Sequence, residues 1–240
     1  MTKHAVVFAY HDVGVHCLQA LLKAGIKIDL VITHEDDPHE NVWFGSVAKL
    51  CQEKHIPYIT PSASELENLV PKIQALAPDY IFSFYYRHMI PAEILSCAKI
   101  AALNMHGSLL PKYRGPSAIN WAIALGEDKT GLTIFRPSDG LDEGEVILQK
   151  EVPIGPDDTL GKIYFDHLFP IGIKALLEAA DLVVAGKHQE LVQDESQANY
   201  EGWFDANAAQ IHWATHISQI YNLIRACNPA PGAWTKFGEQ

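Results

Sequence analysis

Short runs of β-branched and aromatic residues alternate, over the first hundred positions, with stretches whose apolar residues recur at helical spacing. The runs predict strands and the intervening stretches predict helices. Such alternation is typical of an α/β fold, so we expect a mostly parallel, twisted sheet with helices on both faces. The predicted strands are 5–9, 28–33, 57–60, 80–84 and 101–105, and the predicted helices are 15–22, 42–53 and 63–76, the last capped by Ser62 or Ser64.

The pattern changes after position 127. Two further strands, 130–136 and 145–152, flank the Asp- and Gly-rich turn 138–144 and predict a hairpin. A long helix is predicted over 159–185, kinked or split at Pro170, because proline lacks the amide donor. Residues 187–204 are polar and predict a loop, a last helix is predicted over 214–227, and 235–240 resembles the start of a strand.

Composition narrows the function classes. The chain has 240 residues, a net charge of −11 and a pI near 5.5, which argues against a surface that neutralises many phosphates. No run of eighteen apolar residues is present, and the N-terminus lacks the basic flank of a signal peptide. The four cysteines are far apart and form no C-x-x-C pair, so we expect reduced thiols in a cytoplasmic protein.

Polar side chains that could take part in catalysis lie where two predicted strands end. Ligands of parallel sheets bind beyond the carboxyl ends of the strands, so we expect His88 and His106 to share one cleft. Asn104 lies two residues before His106 in an extended segment, and their side chains therefore point the same way. Asp142 stands in the hairpin turn, where an aspartate is often only a turn residue.

An amide, an imidazole and a carboxylate are the groups that acyl transfer to an amine needs. The amide of Asn104 can donate to the oxyanion, His106 can carry the proton, and Asp142 can orient the imidazole or relay the proton. Ser108 could be a nucleophile, but G-x-S-x-G is absent and a structural hydroxyl is favoured. Arg114 with Gly115 could anchor an anion or cap a loop.

The stretch 104–115, together with Asp142, resembles the signature of the 10-formyltetrahydrofolate-dependent formyltransferases. The resemblance implies a Rossmann-like catalytic domain over 1–190, followed over 191–240 by a helix and the start of a small β-rich domain that is absent or truncated. It implies no metal, a 10-formyltetrahydrofolate donor, and Asn104, His106 and Asp142 as the catalytic trio. It also implies folate binding by His88, Met89, Ile90, Ser138, Asp139, Gly140, Leu141 and Asp142.

The acceptor is less sharply indicated. Residues 5–95 resemble the branch that formylates a UDP-linked amino-arabinose, whereas 132–235 resemble a formyltetrahydrofolate hydrolase. The amide at Asn104 favours transfer to an amine, so a nucleotide-linked amino sugar is the best prediction. Pro116 replaces an arginine of the arabinose branch and leaves the contacts there open. A methionyl-tRNA formyltransferase, a 10-formyltetrahydrofolate hydrolase and a folate-binding scaffold stay as alternatives. The oligomeric state stays open, with a homodimer as one option.

Residues 35–40 bear on the tRNA alternative. They are acidic where tRNA formyltransferases carry a basic insertion, so nucleic acid is an unfavourable partner. Trp43 and Phe44 follow, and they could stack on a nucleobase or pack a helix, with packing favoured.

Two other enzyme classes compete. A nicotinamide dehydrogenase would need a glycine cradle after the first strand, but residues 9–14 contain no G-x-G-x-x-G. A metal hydrolase could use His212 and His216, which have the i, i+4 spacing of helical ligands, but no third ligand accompanies them.

Overall fold

The computed structural model describes residues 2–36 and 45–238. Its centre is a seven-stranded sheet with the order β3-β2-β1-β4-β5-β6-β7. The strands are β1 His4–Ala9, β2 Lys27–Ile32, β3 Tyr58–Ile59, β4 Tyr80–Phe84, β5 Ala101–His106, β6 Lys129–Phe135 and β7 Val146–Pro153.

Strands β1 to β5 pair in parallel, as the strand–helix alternation predicts. Strand β1 shows why both faces are covered. Its odd-numbered residues Ala5, Val7 and Ala9 enter one apolar cluster, and its even-numbered residues Val6 and Phe8 enter another. A strand with both faces buried must carry apolar residues at every position, and the run 5–9 does. The predicted α/β fold with helices on both faces is confirmed.

Strands β6 and β7 form the predicted hairpin. They pair antiparallel with each other, and β6 also pairs antiparallel with β5, so that Asn104 lies opposite Phe135. The Asp- and Gly-rich turn therefore leaves the sheet at the same edge as the end of β5. This topology brings Asp142 towards His106 although 36 positions separate them in the sequence.

The helices agree with the predicted positions in most places. Helix α1 begins four residues before the predicted start, and two short helices at 92–95 and 118–124 were not predicted. The predicted helix 63–76 is a 3₁₀ turn over Ala63–Leu69 followed by α3, with Pro71 in the first turn of α3. The helices are α1 His11–Lys23, α2 Val47–Lys54, α3 Val70–Leu76, α4 Ala92–Leu95, α5 Ala118–Ala124, α6 Leu160–Lys162, α7 Phe169–Val184 and α8 Ile217–Ala226. Residues 42–44 of the predicted second helix lie outside the described residues.

The predicted long helix 159–185 is split next to Pro170, as expected, and the split takes the form of a π-helical segment. Helix α6 leads into a π-helical segment, Ile163–Leu168, and α7 follows with Pro170 in its first turn. A proline in the first turn needs no amide partner, so the irregular hydrogen bonding lies before it. Single π-helical turns are often found at functional sites.

The C-terminal region departs most from the sequence pattern. Helix α8 begins at Ile217, with His216 as its N-cap, so His212 lies outside the helix and the two histidines do not share a helical face. The strand expected over 235–240 does not form across the described residues 235–238; Trp234 instead makes an isolated bridge to Gln210. Among the described helices, none combines the length and the hydropathy needed to cross a membrane.

Candidate active site

A deep cleft opens where the strand order reverses. Successive strands are added on one side of β1 as far as β3, and β4 then lies on its other side, which leaves a crevice beyond the ends of β1 and β4. The cleft has a volume of about 580 Å³, within the usual range for small-molecule sites. One group of lining residues, here called the strand wall, comes from 83–90 and 104–107. A second group, here called the loop wall, comes from 115–120, 137–142 and 160–165.

Asn104 and His106 lie on the strand wall, on the same side of β5. The Oδ1 atom of Asn104 accepts a hydrogen bond of 2.8 Å from the amide of Met105. The amide nitrogen Nδ2 therefore remains as the donor that Asn104 can offer to a ligand. An amide donor at the end of a buried strand is held rigidly, as stabilisation of an oxyanion requires.

The imidazole of His106 is oriented by the loop that follows β5. Its Nε2 atom lies 2.7 Å from the carbonyl oxygen of Tyr113, which can only accept, so Nε2 carries a hydrogen and donates. In the neutral ring, Nδ1 then has no hydrogen and carries a lone pair that can accept a proton. Nδ1 lies 3.5 Å from Oδ2 of Asp142, and both side chains are only about a tenth exposed (11% and 12%).

Asp142 is held in an unusual backbone conformation on the loop wall. Its φ of +56° lies in the left-handed region, which short polar residues tolerate better than most. Its Oδ2 accepts a hydrogen bond of 2.9 Å from the amide of Gly115. Gly115 has a φ of +98°, and a Cβ there would lie 2.5 Å from the carbonyl oxygen of Glu201, so the position requires glycine.

The cleft therefore brings together the amide, the imidazole and the carboxylate predicted from the sequence. His88 and His106 both line it, as expected. Of the residues predicted to bind folate, His88, Met89, Ile90, Ser138, Gly140, Leu141 and Asp142 line the cleft, and Asp139 does not.

A cluster of aromatic and histidine rings packs around the loop that follows β4. His34, just beyond β2, stacks on Tyr86 with ring centroids 4.4 Å apart and meets His88 edge-on. Its Nε2 accepts a hydrogen bond from the amide of Arg87, which only an unprotonated nitrogen can do. Burial, with further contributions from His88 and Arg87, lowers the pKa of His34 to about 4. His34 is therefore neutral at physiological pH and fixes the backbone of the loop after β4.

The π-helical segment contributes two side chains that the sequence pattern did not indicate. Tyr164 and Phe165 line the cleft from the loop wall. Burial raises the pKa of the Tyr164 phenol, which therefore stays protonated as a potential hydrogen-bond donor. A regular helix through these positions would rotate them relative to α7, and no sequence signal other than the nearby Pro170 marks the irregularity.

Two alternatives left open by the sequence are settled by contacts. Ser108 is fully buried, and its hydroxyl donates to the carbonyl of Lys112, so it is structural. Arg114 is fully buried and paired inside the protein with Gln193, Glu195 and Tyr200, so it does not anchor an external anion. Pro116 lines the cleft, and Trp43 and Phe44 lie outside the described residues.

The metal alternative finds no support in the described part of the chain. No group of three or more His, Cys, Asp or Glu side chains there has an arrangement that could hold a metal ion. His216 accepts instead from the backbone amide of Ser218, as a helix cap.

Comparison with known families decides the class. Residues 3–179 match the family model described as formyl transferase. The chain belongs to the formyl transferase family. Residues 204–240 match the model of the formyl transferase C-terminal domain, so residues 180–203 lie between the two matches. The prediction of a formyltransferase is confirmed, whereas the predicted domain boundary at 190 stays a prediction.

Solved structures share the fold. WlaRD, a sugar 3N-formyl transferase crystallised with dTDP and 5-N-formyl-THF, is 24% identical, with a TM-score of 0.73 over 94% of this chain and 79% of that chain. An N-formyltransferase from Helicobacter canadensis, in complex with folinic acid and dTDP-3-aminofucose, is 22% identical, with a TM-score of 0.72 over 94% and 80%. A 4-N formyltransferase from Francisella tularensis is 18% identical, with a TM-score of 0.77 over 97% and 92%.

Proposed function

We propose that this formyltransferase moves a formyl group from 10-formyltetrahydrofolate to the primary amine of a nucleotide-linked amino sugar. The observation that carries the proposal is the meeting of Asn104, His106 and Asp142 in one cleft. These are the oxyanion donor, the proton carrier and the carboxylate that stabilises the charged imidazole; Asn104 and His106 belong to the strand wall and Asp142 to the loop wall.

Each group has a distinct part in the proposed reaction. The amine nitrogen attacks the formyl carbon, and Nδ2 of Asn104 donates to the oxyanion that forms. Nδ1 of His106 takes the proton that the amine loses, while Nε2–H stays on the carbonyl of Tyr113. Asp142 stabilises the resulting imidazolium. His106 then returns the proton to the leaving N10 atom, and the products are the formamide and tetrahydrofolate.

The apolar rim of the cleft supports a flat aromatic donor. Large apolar side chains line it although they are well exposed: Met89 is 53% exposed, Leu141 42%, Phe165 40% and Trp203 67%. Exposed apolar surface around a cleft indicates a ligand that covers it. The pterin and benzoyl rings of a folate have the required shape, and the solved WlaRD and Helicobacter canadensis proteins were crystallised with formylated folates.

Charge supports a small anionic acceptor over tRNA. The guanidinium of Arg87 lies over the Tyr10 ring, with Cζ 4.6 Å from the ring centroid, and both residues line the cleft. A local cation suits the diphosphate of a sugar nucleotide, whereas a net charge of −11 opposes a long polyanion. The Helicobacter canadensis relative was crystallised with a dTDP-linked amino sugar.

An acceptor panel tests the proposal. The protein is given 10-[¹³C]formyl-tetrahydrofolate with dTDP- or UDP-linked 3-amino or 4-amino sugars, with methionyl initiator tRNA, or with no acceptor. We expect ¹³C-formamide on an amino-sugar nucleotide. Formate release alone would identify a hydrolase, formylated tRNA would identify the tRNA enzyme, and folate binding without turnover would identify a scaffold; each result contradicts the proposal.

A further inference from the structure

The segment 191–201 makes hydrogen bonds to the backbone of the candidate site at several points. It is outside both family matches and was predicted only as a polar loop. We infer that this segment, here called the strap, positions Asp142 against His106, with Gln193 as the positioning residue. The inference rests on the proposed function for the role of Asp142.

Gln193 is buried, and both ends of its amide are used. Its Oε1 accepts from Nε and Nη2 of Arg114, at 3.2 and 2.9 Å. Its Nε2 donates to the carbonyl oxygens of Asp142 and Gly144, both at 2.8 Å. Because the guanidinium can only donate, it determines which end of the amide faces the loop. Gln193 therefore holds the backbone carbonyl of Asp142 and the carbonyl of Gly144, two residues further on.

Arg114 is oriented in turn by the rest of the strap. Its Nη1 and Nη2 atoms donate to the two carboxylate oxygens of Glu195 at 2.9 and 2.6 Å, and Nη1 also contacts the Tyr200 hydroxyl. The Tyr200 hydroxyl donates to Glu143, the residue after Asp142. Two paths therefore run from the buried guanidinium to the Asp142 loop, one through Gln193 and one through Tyr200.

The same strap holds the acceptor of the His106 hydrogen bond. The amide of Tyr113 donates to Oδ1 of Asn199 at 2.8 Å, and the amide of Arg114 donates to the carbonyl of Asn199 at 3.0 Å. The carbonyl of Tyr113 is the group that receives Nε2–H of His106. One segment thus fixes the positions of both partners of the imidazole, the carbonyl of Tyr113 and the carboxylate of Asp142.

The decisive variant is Gln193→Glu, which keeps size and the acceptor for Arg114 but replaces the Nε2 donor with an oxygen. A carboxylate oxygen, which can only accept, would then face the carbonyl oxygens of Asp142 and Gly144, and the loop would shift. Because misplacement by about 1 Å can cost 10²-fold, we expect kcat to fall roughly 10- to 100-fold, with a smaller change in KM for the folate donor. Gln197→Glu is the matched control, because Gln197 is exposed in the same strap and the charge change is equal.

A double-mutant cycle separates positioning from a general loss of structure. If Gln193 acts through Asp142, Gln193→Glu should not lower the residual rate of Asp142→Asn any further. Additive losses, or wild-type kcat in Gln193→Glu, would overturn the inference. Should Gln193→Glu fail to fold, Tyr200→Phe interrupts the second path to the same loop, and the same non-additivity with Asp142→Asn is required.

Amide exchange gives a readout that does not depend on formyl transfer. The amide of Gly115 donates to Asp142, whereas the amide of Arg114 donates to Asn199. Gln193→Glu should raise exchange at Gly115 and leave Arg114 unchanged; unchanged exchange at both overturns the inference. If exchange responds but no acceptor in the panel is formylated, the proposed function fails and the positioning role of the strap stands.

Discussion

The two walls of the cleft are built by different physical means. The strand wall places Asn104 and His106 through a parallel sheet whose register is fixed by backbone pairing, with Asn104 beside Ser83 and Phe135. The loop wall places Asp142 through side-chain hydrogen bonds to segments far away in sequence, such as Gln193. The two walls should therefore respond to different substitutions. The strand wall should be sensitive to changes of its own side chains, and the loop wall should also be sensitive to changes of residues far away in the sequence.

The largest effect is expected on the strand wall, from Asn104→Ala. Removing an oxyanion donor typically costs about 10²–10³ in rate, so kcat should fall by that factor. The melting temperature should hardly change, because the lost amide points into the cleft. Steady-state kinetics and thermal unfolding check both statements, with the exposed Asn68→Ala as a control. Near-normal kcat in Asn104→Ala would remove the amide from the mechanism.

On the loop wall, Gly115→Ala should lower both the stability of the protein and the rate of formyl transfer. A side chain at φ +98° is strained by ~1–3 kcal/mol, and its Cβ would also meet the Glu201 carbonyl at 2.5 Å. We therefore expect a lower melting temperature together with a lower kcat. Gly25→Ala is the control, because Gly25 has a φ of +79° and open space around it. Equal losses in the two variants would show that the contact with the strap is unimportant.

Arg114→Met should lower the free energy of unfolding. It removes a buried guanidinium and leaves the Gln193 carbonyl oxygen without its donors, which costs about 2–3 kcal/mol. Denaturant unfolding measures the loss. Arg136→Met is the comparison, since Arg136 pairs with Glu190 near the surface and such pairs contribute roughly 0–1 kcal/mol. An Arg114→Met loss no larger than that of Arg136→Met would contradict a supporting role for Arg114.

The smallest expected effect concerns the pH dependence of stability at the strand wall. The folded pKa of His34 is about 4 and the unfolded value about 6.5, so the unfolded chain binds more protons between these values. The contribution of His34 is fully present above pH 6.5 and is lost as pH falls towards 4. Unfolding free energies of His34→Gln should therefore fall less steeply over this interval than those of the wild type. Parallel curves would show that His34 is not held neutral.

The strand wall could be predicted from the sequence, and most of the loop wall could not. Buried parallel strands can be recognised in the sequence as runs of apolar residues. The positions of Asn104, His106 and His88 could therefore be predicted from where these runs end. Asp142 was indicated by the resemblance to a family, not by the pattern around it. No pattern in the neighbouring sequence predicts the roles of Gln193 and Tyr164. A long-range hydrogen bond and a π-helical turn depend on partners that a short stretch of sequence does not contain.

The most direct test of the account is a crystal structure with 5-formyltetrahydrofolate, a formylated folate that was also present with the WlaRD relative. In this complex we expect the pterin to lie between residues 88–90 and 138–142. We expect N10 of the folate, the atom that bears the transferred formyl group in the donor, to face Asn104 and His106. A formyl carbon on N10 would then lie about 3–3.5 Å from Nδ2 of Asn104 and Nδ1 of His106. A folate bound outside this cleft, or with its N10 atom turned away from Asn104 and His106, would show that the proposed site is wrong.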